Sequence, residues 1–248
     1  MKTLKTYLII SISFFFINSY SQEVVDHSSW DHILILNVTG DGLVDYDGVT
    51  RDAIVFYKYF RYLQNISPEE HWSKDEKLAY WLNVYNATVM KMILDEYPIS
   101  SINDLENPWK RKSFKSKGVR YSLDDIEHKI LRKFKDPRIH FLLNCGSISS
   151  PRLWDRAYTS KNIRYALDER TSEFINDPQR NQINLTTVRI SQLFEWYEDD
   201  FTDNHIDVID FINQYSTVKI NKAVKKKYVT YDWNLNEGNK VTPITSNN

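Results

Sequence analysis

Ser73-Lys-Asp-Glu-Lys-Leu-Ala-Tyr-Trp-Leu-Asn-Val-Tyr-Asn-Ala-Thr-Val-Met-Lys-Met-Ile-Leu-Asp-Glu96 is the stretch that decides the fold. Ser73 and Glu76 make a capping-box pattern, in which the serine hydroxyl satisfies the N–H three residues on and the glutamate reaches back. Pro98 stops the helix just past Glu96. At about 100° per residue, Leu78, Trp81, Leu82, Tyr85, Val89, Met92 and Ile93 share one face. Ala79, Ala87 and Met90 line a second face, so the helix is apolar nearly all round and belongs at the centre of the molecule. Asn86 sits at the edge of the first stripe and Asn83 on the second. Buried asparagine is costly without partners. Either the two pin loop backbone, or one of them orients a catalytic group or binds substrate.

Working outward, Trp30–Leu36 is read as a short helix, 37–46 as a turn-rich loop, and Thr50–Leu63 as an amphipathic helix with Ile54, Tyr57, Phe60 and Leu63 inward. Residues 107–120 are basic and irregular. Ser122-Leu-Asp-Asp125 is a second capping signal and opens a helix to about Phe134. The apolar run Arg138–Asn144 is read as a buried strand ending at Cys145. Helices are expected over 162–176, 191–197 and 206–215, and strands over 182–190 and 228–233. The sum is a helix-rich α+β single domain with a small, mainly antiparallel sheet.

The 42% hydrophobic and 14% aromatic content supplies a substantial core, and 6 glycines and 7 prolines argue against linkers or repeats. A formal net charge of −1 gives no global field to recruit nucleic acid or an anionic membrane. The chain opens with Met1-Lys-Thr-Leu-Lys5, an uncharged apolar run over Tyr7–Ile17, and small residues at Ser19-Tyr-Ser21. That is the three-part pattern of a secretory signal. The run is short of the roughly 20 residues that span a bilayer. Cleavage near Ser21 is expected, leaving 22–248 as one globular domain in the periplasm or outside the cell, with no integral membrane segment.

Cys145 is the only cysteine. An exported chain with one cysteine carries a free thiol into an oxidising compartment. The thiol is either a small core residue or kept for its reactivity. In an extended strand His140 would face away from Cys145, so His128, reaching in from another element, is the candidate base. Glu127 falls on the apolar stripe of its helix. It either forms a buried ion pair, with Arg132, Arg138 or Arg152, or lines a cleft with His128 as acid and base. The Gly146 and Ser147 backbone offers N–H groups for an oxyanion. The acidic cluster Glu195, Glu198, Asp199, Asp200 and Asp203 is read as solvated, and so is the basic run 110–120. Asn37-Val-Thr-Gly-Asp-Gly42 lacks the acidic first position of a calcium loop, and Gly48 stands where its glutamate belongs. No HxxxH or HExxH spacing occurs, so no metal and no cofactor is expected.

Several segments together resemble one family, the domain of unknown function 547. They are Glu76–Ala87, Tyr97-Pro98 with Ser101-Ile102, Tyr121–His128 with Leu131-Arg132, Asp136–Phe141, Asn144–Ser147, and Ser191 through Trp196-Tyr197 to Asp200-Phe201. Asp41–Tyr46 also fits its bacterial members. The likeness covers about 30–201, leaving 202–248 as a C-terminal extension. It implies that Glu127, His128 and Cys145 occupy signature positions. Many bacterial members carry a second cysteine where this chain has Ser150, so a single-thiol reading is the one left intact. A distant likeness to papain-like or transglutaminase-like enzymes goes with it. Two functions are therefore expected. One is a thiol-dependent hydrolase or acyl transferase with Cys145 as nucleophile, His128 as base, and Glu127, Asn83 or Asn86 orienting the imidazole. Peptide or amide bonds of the cell envelope are its natural substrates. The other is a non-enzymatic envelope binding or scaffold module, with these residues as a buried polar network.

Overall fold

The computed structural model describes residues 25–184, 187–202, 207–222 and 224–238. The expected signal, the last ten residues, and parts of the strand and helix expected over 182–190 and 206–215 lie outside the described residues. Helix α1 (Ser28–Asn37) is followed by a loop in which Val38 bridges Val44. Where one helix is predicted over Thr50–Leu63, the chain forms two, α2 (Tyr46–Arg51) and α3 (Ala53–Asn65). Asp45 caps the first by accepting the Gly48 N–H at 2.7 Å, so helix begins earlier than the apolar stripe suggests. The break at Asp52 rotates the stripe. Phe56, Tyr59, Phe60 and Leu63 go inward, and Ile54 is left 87% exposed.

Helix α4 (Lys74–Glu96) is the central element, as its sequence requires. The Glu76 N–H donates to Ser73 Oγ at 3.2 Å, and the Ser73 N–H to Glu76 Oε2 at 2.6 Å. Every residue from Leu78 to Met90 is buried. Burying each large apolar side chain is worth about 1.5–3 kcal/mol, so this one helix anchors much of the core.

The basic stretch, read as irregular, contains a hairpin, β1 (Phe114–Ser116) and β2 (Val119–Tyr121). Its two-residue turn, Lys117-Gly118, has φ of 42° and 89°, the conformation that favours glycine at the second position. Phe114 packs edge-on to Phe60 and Trp81 and fixes the hairpin to the core. Helix α5 (Leu123–Lys129) starts at the Ser122 capping box and ends at Ile130, and Leu131–Phe134 continues as a 3-10 turn.

The run read as a strand before Cys145 is not extended. Pro137–Phe141 is a 3-10 helix. Asp136 accepts the Arg138 N–H at 3.1 Å and Pro137 pre-sets the first turn, so a helix-start signal outweighs the short apolar run. This places Phe141 in a cluster with Phe174, Phe194, Phe201 and Phe211.

Helix α6 (Ile163–Asn176) follows, and then β3 (Gln182–Ile183) and β4 (Val188–Ser191), the short helices α7 (Leu193–Trp196) and α8 (Glu198–Phe201), α9 (Val208–Tyr215) and β5 (Lys226–Val229). The sheet order is β3-β4-β5, antiparallel for the first pair and parallel for the second, with Ile190 opposite Tyr228. The architecture is helix-rich α+β with a small sheet. Residues 231–237 then cross back over the molecule. The Val44 N–H donates to Asn236, the Leu235 N–H to Ser100 and the Ile148 N–H to Asn234, which ties the first helices to the cysteine loop. No helix among the described residues is long and apolar enough to cross a membrane.

Candidate functional site

Cys145 opens a tight loop laid against α4. Gly146 has φ of 77°, and a Cβ there would come within 2.5 Å of Ile93 Cδ1, so this position admits little but glycine. Asn144 Oδ1 accepts the Gly146 N–H at 2.9 Å. The Gly146 donor expected to serve an oxyanion is therefore engaged within its own loop. The thiol is half-buried and meets three hydroxyls: Ser150 Oγ at 2.8 Å, and Ser147 Oγ and Tyr231 OH at 3.3 Å each. Burial, with the thiol as the next cause, pushes the Tyr231 phenol well above its ordinary range, so it remains an O–H donor. Arg180 buttresses the far side of the loop, with Nε donating to the Ser150 carbonyl at 2.8 Å and Nη2 to that of Ile148 at 3.1 Å.

Cys145 opens into a cleft of about 300 Å³ that also receives Glu127, His128 and His140. His140 is buried by stacking on Tyr197, ring centroids 3.9 Å apart. Its Nε2 lies 2.7 Å from Asp200 Oδ2, and its Nδ1 lies 3.7 Å from Glu127 Oε1. Asp200 in turn takes two guanidinium N–H groups of Arg132 at 2.7 Å each. Burial pushes the Asp200 carboxyl up, but the hydrogen bonds from His140 and Arg132 outweigh it and hold the group well below the usual carboxylate range. His128 is exposed on the rim, and its Nδ1 faces Arg132 Nη1 at 3.4 Å. Among the described residues no histidine nitrogen hydrogen-bonds the thiol, and none of Arg132, Arg138 or Arg152 pairs with Glu127. No group of three or more His, Cys, Asp or Glu among them is arranged to hold a metal ion.

Much of the cleft lining is aromatic. Trp196, Tyr231, Trp233 and Trp109 form a continuous surface, with centroids 4.9 Å apart for the first pair, 4.6 Å for the second and 5.8 Å for the third.

Residues 69–175 match the family model described as "Protein of unknown function, DUF547". That stretch is similar to this family. No curated protein and no solved structure matches the chain. The DUF547 stretch carries Glu127, His128, His140 and Cys145. Asp200 and most of the aromatic wall lie beyond it.

Within the DUF547 stretch, both helix asparagines hold loop backbone. Asn86 Nδ2 donates to the Leu142 carbonyl at 3.0 Å and its Oδ1 accepts the Asn144 N–H at 2.9 Å. Asn83 does the same to Tyr158, at 2.7 and 3.1 Å, and its Nδ2 faces His27 Nε2 at 3.3 Å. In the strand expected before Cys145, His140 faces away from the thiol, and Asp200 falls in an acidic cluster read as solvated. The 3-10 helix brings the first into the cleft and the second pairs with it. The Asp136-Pro137 helix-start signal was the clue available for His140. For Asp200 no local signal exists, because its partners are 60 and 68 positions away.

Proposed function

We propose that this protein is an exported thiol-dependent hydrolase or acyl transferase whose active site is the Cys145 cleft. The observation that carries this reading is the sharing of one cleft by a half-buried thiol and a histidine held by a carboxylate, His140 Nε2 to Asp200 Oδ2 at 2.7 Å. The aspartate selects the Nε2–H tautomer and leaves Nδ1 as the basic nitrogen. His140 is a better base than His128, whose Nδ1 accepts from the Arg132 guanidinium and is left as a donor at the rim. Cys145 Sγ attacks the acyl carbon of the substrate as its proton passes to His140, and the resulting imidazolium faces Glu127. The tetrahedral oxyanion takes hydrogen bonds from the Tyr231 and Ser147 hydroxyls. Its collapse expels the leaving group with the proton from His140, and water or an acceptor nucleophile then releases the acyl group and restores the thiol. The envelope, with its peptide and amide bonds, is the setting that the N-terminal signal pattern supports.

The test is alkylation of the folded protein by iodoacetamide as a function of pH. Cys145 should react in the folded state, faster near pH 6.5 than the same thiol in the urea-unfolded chain, and His140→Gln should remove that advantage. A thiol that reacts only upon unfolding would overturn the reading and leave a non-catalytic binding module.

A further inference from the structure

The cleft has a charge and a surface that the proposed chemistry does not use. The charged side chains lining it are the carboxylates Asp124 and Glu127 beside the two histidines; no lysine or arginine lines it. The nearest guanidinium, Arg132, is committed to Asp200 through two 2.7 Å bonds. Asp124 is half-exposed and enters no ion pair among the described residues. Glu127 is only 8% exposed and faces His140 Nδ1 at 3.7 Å. The Tyr197 hydroxyl also hydrogen-bonds this carboxylate, but neither contact adds a lysine or arginine to the cleft lining to neutralise its charge. Trp196 and Trp233, stacked on each other with centroids 5.9 Å apart, line the same cleft as these carboxylates, and Trp196 is 44% exposed. Aromatic faces and carboxylates attract the same partner, a desolvated cation. At about 300 Å³ the cavity is at the small end for ligand sites and takes a group the size of one long side chain.

We infer that the cleft binds its substrate through an alkylammonium or guanidinium group, seated between the Trp196–Trp233 wall and Asp124 and Glu127. The inference rests on the reading of this cleft as the substrate site, but not on chemistry at the thiol. The cation is a specificity element: it holds one end of the substrate while the acyl carbon is presented to Cys145. An aromatic wall can also stack on a neutral sugar, whose hydroxyls donate to carboxylates, but only a cation neutralises their charge as well.

The test uses the folded Cys145→Ser protein, so that thiol reactivity plays no part, and follows tryptophan fluorescence during titration with pentylammonium, 1-pentanol, pentanoate and N-acetylglucosamine. Pentylammonium should bind at least about tenfold more tightly than 1-pentanol, with pentanoate weakest. Asp124→Asn and Trp196→Leu should each erase most of that preference without changing the thermal midpoint by more than a few degrees. Equal binding of the amine and the alcohol, tighter binding of pentanoate or the sugar, no binding of any probe, or a preference that survives Asp124→Asn would each overturn the inference. If the amine preference holds while Cys145 in the unmodified protein proves unreactive, the proposed catalysis fails alone.

Discussion

Ser150 Oγ lies 2.8 Å from Cys145 Sγ and also accepts the Cys145 N–H at 3.0 Å. This is the position where the family resemblance places a second cysteine in many bacterial members. The loop therefore already holds the two side chains face to face, and a thiol at 150 would meet Cys145 with little backbone movement. Ser150→Cys is expected to form a disulfide under mild oxidation, since the S–S bond of about 2.05 Å needs the two sulfurs only slightly closer than the present contact. Thiol titration of the oxidised, unfolded variant should find no free thiol, against one in the parent, and two after reduction. Two thiols that persist through oxidation would show that the loop holds the pair apart.

His27 is a second buried titratable group, 4% exposed, with Nδ1 2.7 Å from the Tyr59 hydroxyl. Burial, only partly opposed by Asp26, lowers its pKa from 6.5 to about 4. The unfolded chain thus takes up a proton near pH 6.5 and the folded chain only near pH 4. The stability is complete above pH 6.5 and is lost as pH falls from there toward 4, by an amount on the order of 3 kcal/mol. Urea midpoints measured between pH 7.5 and 4.5 should fall on this account. His27→Gln should be less stable at pH 7.5 but show a shallower slope, and an unchanged slope would remove His27 as the cause.

The parts of this molecule that were legible in the sequence are those whose signals are local. The Ser73 and Ser122 boxes each satisfy their own N–H groups, so α4 and the start of α5 form as read. The Ile163–Asn176 helix also follows its periodicity. The α2–α3 break was missed because Asp45 caps a helix before the apolar stripe begins. The segment before Cys145 was misread because Leu142 and Leu143 look like strand residues when Asp136-Pro137 is passed over. The site suffered most. Cys145, His128 and Glu127 stood out by type and pattern, whereas the His140–Asp200 contact and the Tyr231 hydroxyl beside the thiol depend on chain segments brought together only by the completed fold.

Asn86 links α4 to the loop that presents the thiol, holding the Leu142 carbonyl and the Asn144 N–H at once. Removing its amide leaves the Asn144 N–H without that partner and the Leu142 carbonyl with the Tyr158 hydroxyl at 3.3 Å, and an unsatisfied buried backbone group costs about 1–3 kcal/mol when no water replaces the partner. Asn86→Ala should therefore lower stability by about 1–3 kcal/mol and broaden the NMR signals of residues 142–146. A loss under about 1 kcal/mol would mean that the loop is held chiefly from its other side, by Arg180 and the 231–237 segment.

Asp200 separates a structural role from a catalytic one. Its carboxyl is depressed in the folded state because the His140 and Arg132 hydrogen bonds more than offset its burial. Its contribution to stability is therefore in place above the unfolded value of about 3.9 and is lost as pH falls below it toward the lower folded value. The gap in urea midpoint between the parent and Asp200→Asn should be wide at pH 7 and close below pH 4. That much follows from the ion pair alone. If His140 is the base, the same substitution also unsettles its tautomer, and native-state alkylation of Cys145 at pH 7 should slow by at least about tenfold, as expected when the carboxylate that orients a catalytic imidazole is lost. A normal alkylation rate together with the expected stability loss would make Asp200–His140 a structural pair and return the search for a base to His128.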